Sequence, residues 1–273
     1  MVASPFQANV IRFTSIAGVL VTFLAVLGKI SLVLYLPPSV TWAACLSGVI
    51  GLVLGDTLYM FSLKLIGVAR AVPISFAYPL FNILISVLLN GDEVNLWIVL
   101  GAVSTVGGIW LLSQNAGIDS NRLCMTSSGK GVVLALSAAI VWSMSMTLLN
   151  MAVTSREAIG PEGILAVNAI RFLSAWFVLL TLSLVFDKKL SFLKMPARTW
   201  LTIASGGVVG LLFGSFLLSL SLQHIQESRA VPLSSTTPFF STVAGIFFLH
   251  EPATTRVILG SVIVVLGISL LFM

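Results

Sequence analysis

Apolar runs of roughly 20 residues follow one another along nearly the whole chain, and polar residues collect in the short breaks between them. The runs are apolar on all sides. Strands of a closed β-barrel would alternate apolar with polar positions. The pattern therefore predicts an all-α, polytopic membrane helix bundle. It predicts nine helices, over residues 9–27, 39–63, 71–89, 96–113, 130–152, 163–186, 199–222, 230–249 and 256–272.

The polar breaks carry a repeat. Arg70-Ala71-Val72-Pro73-Ile74-Ser75 returns as Arg229-Ala230-Val231-Pro232-Leu233-Ser234, displaced by 159 residues (229 − 70 = 159). The same shift pairs Asn9, Ile11, Arg12 and Phe13 with Asn168, Ile170, Arg171 and Phe172. It pairs Gly48, Gly51 and Gly55 with Gly207, Gly210 and Gly214, Pro79 with Pro238, and Gly101 with Gly260. One ungapped register over such a distance marks an internal duplication. The division it predicts is a first repeat at 1–113, a connecting loop at 114–128 and a second repeat at 129–273. The second copy has five helices. An odd number of spans ends on the opposite membrane face, so two copies in series are expected to be inverted about an axis in the membrane plane. Helix 130–152, shifted back by 159, falls before residue 1, so the first copy is expected to lack its first helix. Arg12 and the apolar run after it also have the look of a signal peptide, but their match to residues 168–185 argues for a retained helix.

Composition sharpens the class. The chain is 58% hydrophobic and 8% charged, with a mean hydropathy of +1.11. Soluble domains carry roughly 25% charged residues. The net charge of +5 is scattered over short loops, which argues against nucleic acid as a partner and for lipid. Ten Lys and Arg fall on the face of the N-terminus and four on the other (Lys29, Arg156, Arg171 and Arg229), favouring a cytoplasmic N-terminus and an external C-terminus. Cys45 and Cys124 suggest neither a disulfide framework nor a metal site. No cofactor is expected. A hydrolase would need a Ser with a His base or a His-Glu-x-x-His set, and an ATPase a Walker motif; the sequence contains none of these.

Several segments resemble EamA-type members of the drug/metabolite transporter superfamily. These are Gly55-Asp56-Thr57-Leu58-Tyr59 with Ser62-Leu63-Lys64, Ala69-Arg70-Ala71-Val72-Pro73 running into Tyr78-Pro79-Leu80-Phe81, and an acid nine residues before a glycine at Asp92/Gly101 and Glu251/Gly260. The resemblance covers residues 5–113 and 129–272. It implies ten helices in two inverted five-helix repeats and transport of amino acids, metabolites, drugs or nucleotide sugars, often outward. The chain departs from that pattern in lacking the first helix and in a charge bias that puts the C-terminus outside.

Among individual residues, Asp56 stands out. A carboxylate at the bilayer centre costs about 2.5–3.5 kcal/mol, and its repeat partner is Ser215, so the fold itself does not demand an acid there. It is either a cavity carboxylate or half of a structural pair with Arg12 or Arg171. Those two arginines are either an anion site or snorkel to the headgroups. Pro73/Pro79 and Pro232/Pro238 should kink matched helices and free carbonyls. With Ser75, Tyr78, Asn82, Ser234, Ser235, Thr236 and Thr237 beside them, those carbonyls are expected to line a polar cavity. Helix 130–152 adds Trp142, Ser143, Ser145, Thr147 and Asn150, with Trp142 and Ser145 taken as lining candidates and core packing the alternative for Trp142. The glycine series on helices 39–63 and 199–222 reads as close packing, and Asp92, Glu93 and Glu251 as caps of the helices that follow.

The expected substrate-binding set is thus Asp56, Ser75, Tyr78, Asn82, Trp142, Ser145, Ser234 and Thr237. The expected function is that of a multi-pass secondary transporter in the cell membrane, a permease exporting small metabolites by alternating access. A coupling ion or proton and a homo-oligomer are compatible partners. The alternative is a non-transporting membrane assembly partner or an inactive truncated carrier.

Overall fold

A computed structural model describes residues 5–113, 128–186, 195–249 and 254–273. Cys124, Arg122, Lys188, Lys189, Lys194, His250 and Glu251 lie outside these. The described residues form helices joined by short turns, with no strand among them. All nine expected helices are present: α1 Pro5–Val26, α2 Pro38–Ile66, α3 (Val68–Ser75 and Tyr78–Asn90), α4 Leu96–Ser113, α5 Ser128–Val153, α6 Pro161–Phe186, α7 Ala197–Leu222, α8 (Glu227–Ser234 and Thr237–Leu249) and α9 Thr255–Leu270. Eight of the apolar stretches are long enough to cross a bilayer, and α9, with 16 residues, is the shorter one.

The duplication is visible in the local defects. The helix widens to a π-turn at Gly48–Gly55 in α2 and at Gly207–Phe213 in α7, the same positions 159 residues apart. Both α3 and α8 break six residues after the start of the repeated Arg-Ala-Val-Pro motif, at Phe76–Ala77 and Ser235–Thr236. A proline five residues into each first segment removes one backbone donor, and another proline opens the second segment.

The chain forms two compact units. One comprises residues up to Val53 with Leu148–His224, the other Leu54–Thr147 with Ile225–Met273. Each therefore draws helices from both sequence copies, and each is centred on a pair of repeat-equivalent helices. In the first unit this pair is α1 and α6. The rings of Phe13 and its repeat partner Phe172 lie 6.1 Å apart within a core of Ile11, Ile16, Leu20 and Leu179. Gly48 lies against the Arg171 carbonyl and Gly207 against the Arg12 side chain, two contacts interchanged by the 159-residue shift.

In the second unit the pair is α4 and α9. Gly101 meets Gly267 and Gly108 meets Gly260. The shift converts the first contact into the second, because Gly101 corresponds to Gly260 and Gly108 to Gly267. The order of the contacts makes the two helices antiparallel, as inversion requires of equivalent helices. Small residues at such a crossing bring backbones together and supply van der Waals contact where lipid gives no hydrophobic drive. A Cβ on Gly267 would lie 2.6 Å from Thr105 Oγ1 and 2.8 Å from the Gly101 carbonyl oxygen.

Gly267→Leu should therefore destabilise the protein by about 1–3 kcal/mol through overpacking against backbone. Gly107→Leu, at a position with nothing within 4 Å of an added Cβ, should be close to neutral. Thermal unfolding in one detergent compares them; equal midpoints would mean that the seam yields freely.

Candidate functional site

Asp56 opens the straight α-helical end of α2, directly after the π-turn. Its side chain is half-buried and Oδ1 accepts the indole N–H of Trp142 at 3.1 Å. That indole comes from α5 and lies over Gly55. A Cβ there would stand 2.6 Å from Trp142 Cδ1 and 2.7 Å from Nε1. Glycine at 55 thus admits the ring, and the π-turn sets the register that delivers the carboxylate to it. Three further rings surround the indole: Tyr59 at 5.2 Å, Tyr78 at 5.9 Å and Phe76 at 6.0 Å between centroids. The Phe76 and Tyr78 contacts are edge-on, the favourable arrangement for aromatic quadrupoles.

A chain of hydrogen bonds runs from this cluster along α3. Ser143 Oγ donates to the Tyr78 carbonyl at 2.7 Å. The Ser234 hydroxyl donates to the Val231 carbonyl, so the Tyr78 hydroxyl is the donor in their 3.3 Å contact. One turn further, Asn82 Nδ2 reaches the Ser143 carbonyl and Thr147 Oγ1, each at 3.4 Å, and donates to Glu227 Oε1. Thr147 Oγ1 donates to the same carboxylate oxygen at 2.7 Å. Asn82, Thr147 and Glu227 are all at most 1% exposed. A carboxylate so enclosed is tolerable because charge-assisted hydrogen bonds replace water.

The structure thus brings together Asp56, Tyr78, Asn82, Trp142 and Ser234 from the expected set. Ser75 is buried and holds α3 to α5 through the Ala135 carbonyl at 3.3 Å. Ser145 is buried on α5 but sits roughly 200° around the helix from Ser143, away from that face. Thr237 is exposed and donates to the Ser234 carbonyl at 3.1 Å. Ser235 and Thr236 likewise donate to the carbonyls of Pro232 and Leu233. At the α8 break the Pro232 and Ser234 carbonyls thus accept from hydroxyls of the break itself rather than standing bare.

Three other expectations change, and one residue was missed. Arg171 does not snorkel: it is 2% exposed, and Nη1 donates at 2.9 Å to Ser215 Oγ, which donates in turn to Asn168 Oδ1. It consequently drops out of the count of loop positives. Asp92 caps α8 rather than the helix that follows it. Gly91, at φ 70°, turns the chain so that Asp92 Oδ2 accepts from Ser228 N at 3.0 Å, while Asn95 caps α4 through Ile98 N. Close packing holds for Gly48, Gly55 and Gly207, but Gly210 and Gly214 face open space. Glu227 was invisible as a site residue because the sequence pattern starts helix 230–249 after it. The signal lay in the repeat register, where Glu227 replaces Val68.

Helix α5 packs over α3. Tyr78 and Asn82 are buried beneath it, whereas their counterparts Thr237 and Ser241 are exposed. Among the described residues, no three His, Cys, Asp or Glu side chains are grouped to hold a metal ion.

A duplicated bundle of bilayer-length helices, with hydrogen-bonded polar side chains buried inside both units, has the architecture of a polytopic membrane transporter. The chain belongs to the EamA-like transporter family, which it matches over residues 2–114 and 129–273. A protein of Archaeoglobus fulgidus named only as an uncharacterized transporter is 27% identical over 228 residues, 84% of this chain and 74% of that one. A solved crystal structure shares the fold with a TM-score of 0.73 at 20% identity, over 98% of this chain and 88% of that one.

Two expectations follow. Gly55→Ala should push the Trp142 ring off Asp56 and reduce transport, whereas Gly214→Ala should not; equal transport by the two at matched membrane levels would contradict the ring's placement. Glu227→Ala should cost about 1–3 kcal/mol by removing the acceptor shared by Asn82 and Thr147, and Glu227→Gln, which keeps a carbonyl oxygen, should recover most of it. Thermal unfolding of the purified variants reads both.

Proposed function

We propose that the protein is a secondary transporter in the cell membrane, exporting small amphipathic metabolites, amino acids or drugs, that carry an amine. The observation that carries this reading is the half-buried Asp56 carboxylate bonded to Trp142 at the centre of an aromatic cluster. A carboxylate supplies the counter-charge for an ammonium group, and ring faces add cation–π attraction of about 0.5–2 kcal/mol where water is excluded. The apolar part of such a solute has Tyr59 and Phe76, both half-buried, to lie against. Ser234 and the Tyr78 hydroxyl add neutral polar contacts; Ser75 and Ser145 serve the packing of α5, and Thr237 a peripheral contact.

Alternating access is supported by the antiparallel packing of equivalent helices in each unit, since two inverted copies can exchange conformations across the membrane. A gradient or exchange would drive the cycle, with Asp56 able to bind either the substrate amine or a proton. The outward direction rests on the family resemblance.

The test is a comparison of metabolites inside and outside cells making wild type, Asp56→Asn or Trp142→Phe at matched membrane levels. Wild type should shift the distribution of an amine-bearing solute. Asp56→Asn should abolish that shift with membrane abundance unchanged, and Trp142→Phe should weaken it. Wild-type flux in Asp56→Asn would sink the proposal; loss of the protein itself would make the carboxylate structural.

A further inference from the structure

The first unit holds a cavity of about 500 Å³ between α1, α6 and α7. Its walls are apolar, with Leu20 and Phe23 from α1, Leu165 from α6, and Leu212 and Phe216 from α7. The charged residues of its lining are Lys29 and Glu162, which form an ion pair with each other. Lys29 follows the end of α1 and Glu162 is the second residue of α6. The pair therefore sits where both helices reach the membrane surface. Val19, also in the lining, lies ten residues before Lys29, and the α1 portion of the slot from Val19 to Leu27 spans roughly 12 Å.

The slot thus begins at headgroup level and runs into the hydrocarbon layer. Below the Lys29–Glu162 pair its walls offer nothing for water to bond, and an apolar cavity of this kind stays dry. At that depth the surrounding solvent is acyl chain. The mouth adds a requirement. Lys29 offers a cation and Glu162 an anion within one contact, so a headgroup carrying both a phosphate and an ammonium group can satisfy both, the phosphate on Lys29 and the ammonium on Glu162. An anionic headgroup without an amine would set its phosphate beside the Glu162 carboxylate. We infer that this cavity binds one acyl chain of a zwitterionic, amine-bearing phospholipid, with the headgroup seated on the Lys29–Glu162 pair. The inference does not depend on what the protein transports. The lipid wedges against Leu212 and Phe213, the last residues of the α7 π-turn, and so braces the segment where that helix departs from α geometry.

The experiment uses the full chain purified into micelles containing equal amounts of phosphatidylethanolamine and phosphatidylglycerol, stripped stepwise and weighed by native mass spectrometry. Wild type should retain one phosphatidylethanolamine in preference to phosphatidylglycerol. Val19→Trp and Leu165→Trp, which fill the slot, should each lower that occupancy roughly tenfold, equivalent to about 1.4 kcal/mol. Val19 is 43% exposed, so its variant supplies a folded comparator even where Leu165→Trp does not fold. Glu162→Gln should erase the preference between the two lipids while leaving the slot occupied. Equal retention of both lipids by wild type, retention of detergent alone, or undiminished phosphatidylethanolamine in Val19→Trp would each overturn the assignment.

Discussion

Lipid cannot hydrogen-bond, and that constraint shapes where the polar groups of the described helices go. Where α2 and α7 widen to π-turns and α3 and α8 break beside prolines, backbone groups lose their regular partners and need others. The hydroxyls of Ser234, Ser235, Thr236 and Thr237 each donate three residues back at the α8 break, and those of Ser235 and Thr237 serve the Pro232 and Ser234 carbonyls. The buried side chains obey the same rule at greater stakes. Arg171 has Ser215, and Ser215 has Asn168. Glu227 has Asn82 and Thr147, and Asp56 has the Trp142 indole. Interhelical hydrogen bonds in membranes average only about 0.6 kcal/mol, so forming each contact adds little, whereas leaving its buried partners unpaired costs about 1–3 kcal/mol. What they do is fix which helix faces which, because slipping any of them would strand a charge.

The second organising fact is that equivalent helices pack on one another. Phe13 on Phe172, and Gly101 and Gly108 on Gly267 and Gly260, are contacts that a two-fold operation maps onto themselves. A duplicated sequence makes such contacts cheap to specify, because one substitution made before duplication would improve both sides. It also explains why the compact units cut across the sequence repeats: the pairs that pack best come one from each copy.

The helices, the repeat register and the membrane class were legible because each depends on pattern. The nine runs fall within a few residues of the observed helices, and the 159-residue shift predicted matching defects. Asp56, Tyr78, Asn82, Trp142 and Ser234 were legible as polar or aromatic residues in apolar surroundings. Other features were not, and for identifiable reasons. Buried Arg171 donates to Ser215, 44 residues away, a contact that no local pattern reveals. Asp92 had the composition of a cap but the wrong helix, because Gly91 turns the chain toward the α8 terminus. Glycine spacing alone could not separate Gly55, pressed by an indole, from Gly214 in the same register and facing nothing.

That last contrast shows where chemistry enters a symmetric scaffold. Duplication gives two copies of each position, and a position with a purely architectural role can keep the same residue in both, as Phe13/Phe172 and Gly101/Gly260 do. Positions with a different task depart from the pairing. Asp56 stands against Ser215, and Glu227 against Val68. Both acids lie in the second unit, and each is bonded by a residue of α5: Trp142 for Asp56, Thr147 for Glu227. Both acids thus sit under one covering helix, because a carboxylate can be kept inside a lipid-solvated bundle only where neighbouring helices shield and bond it.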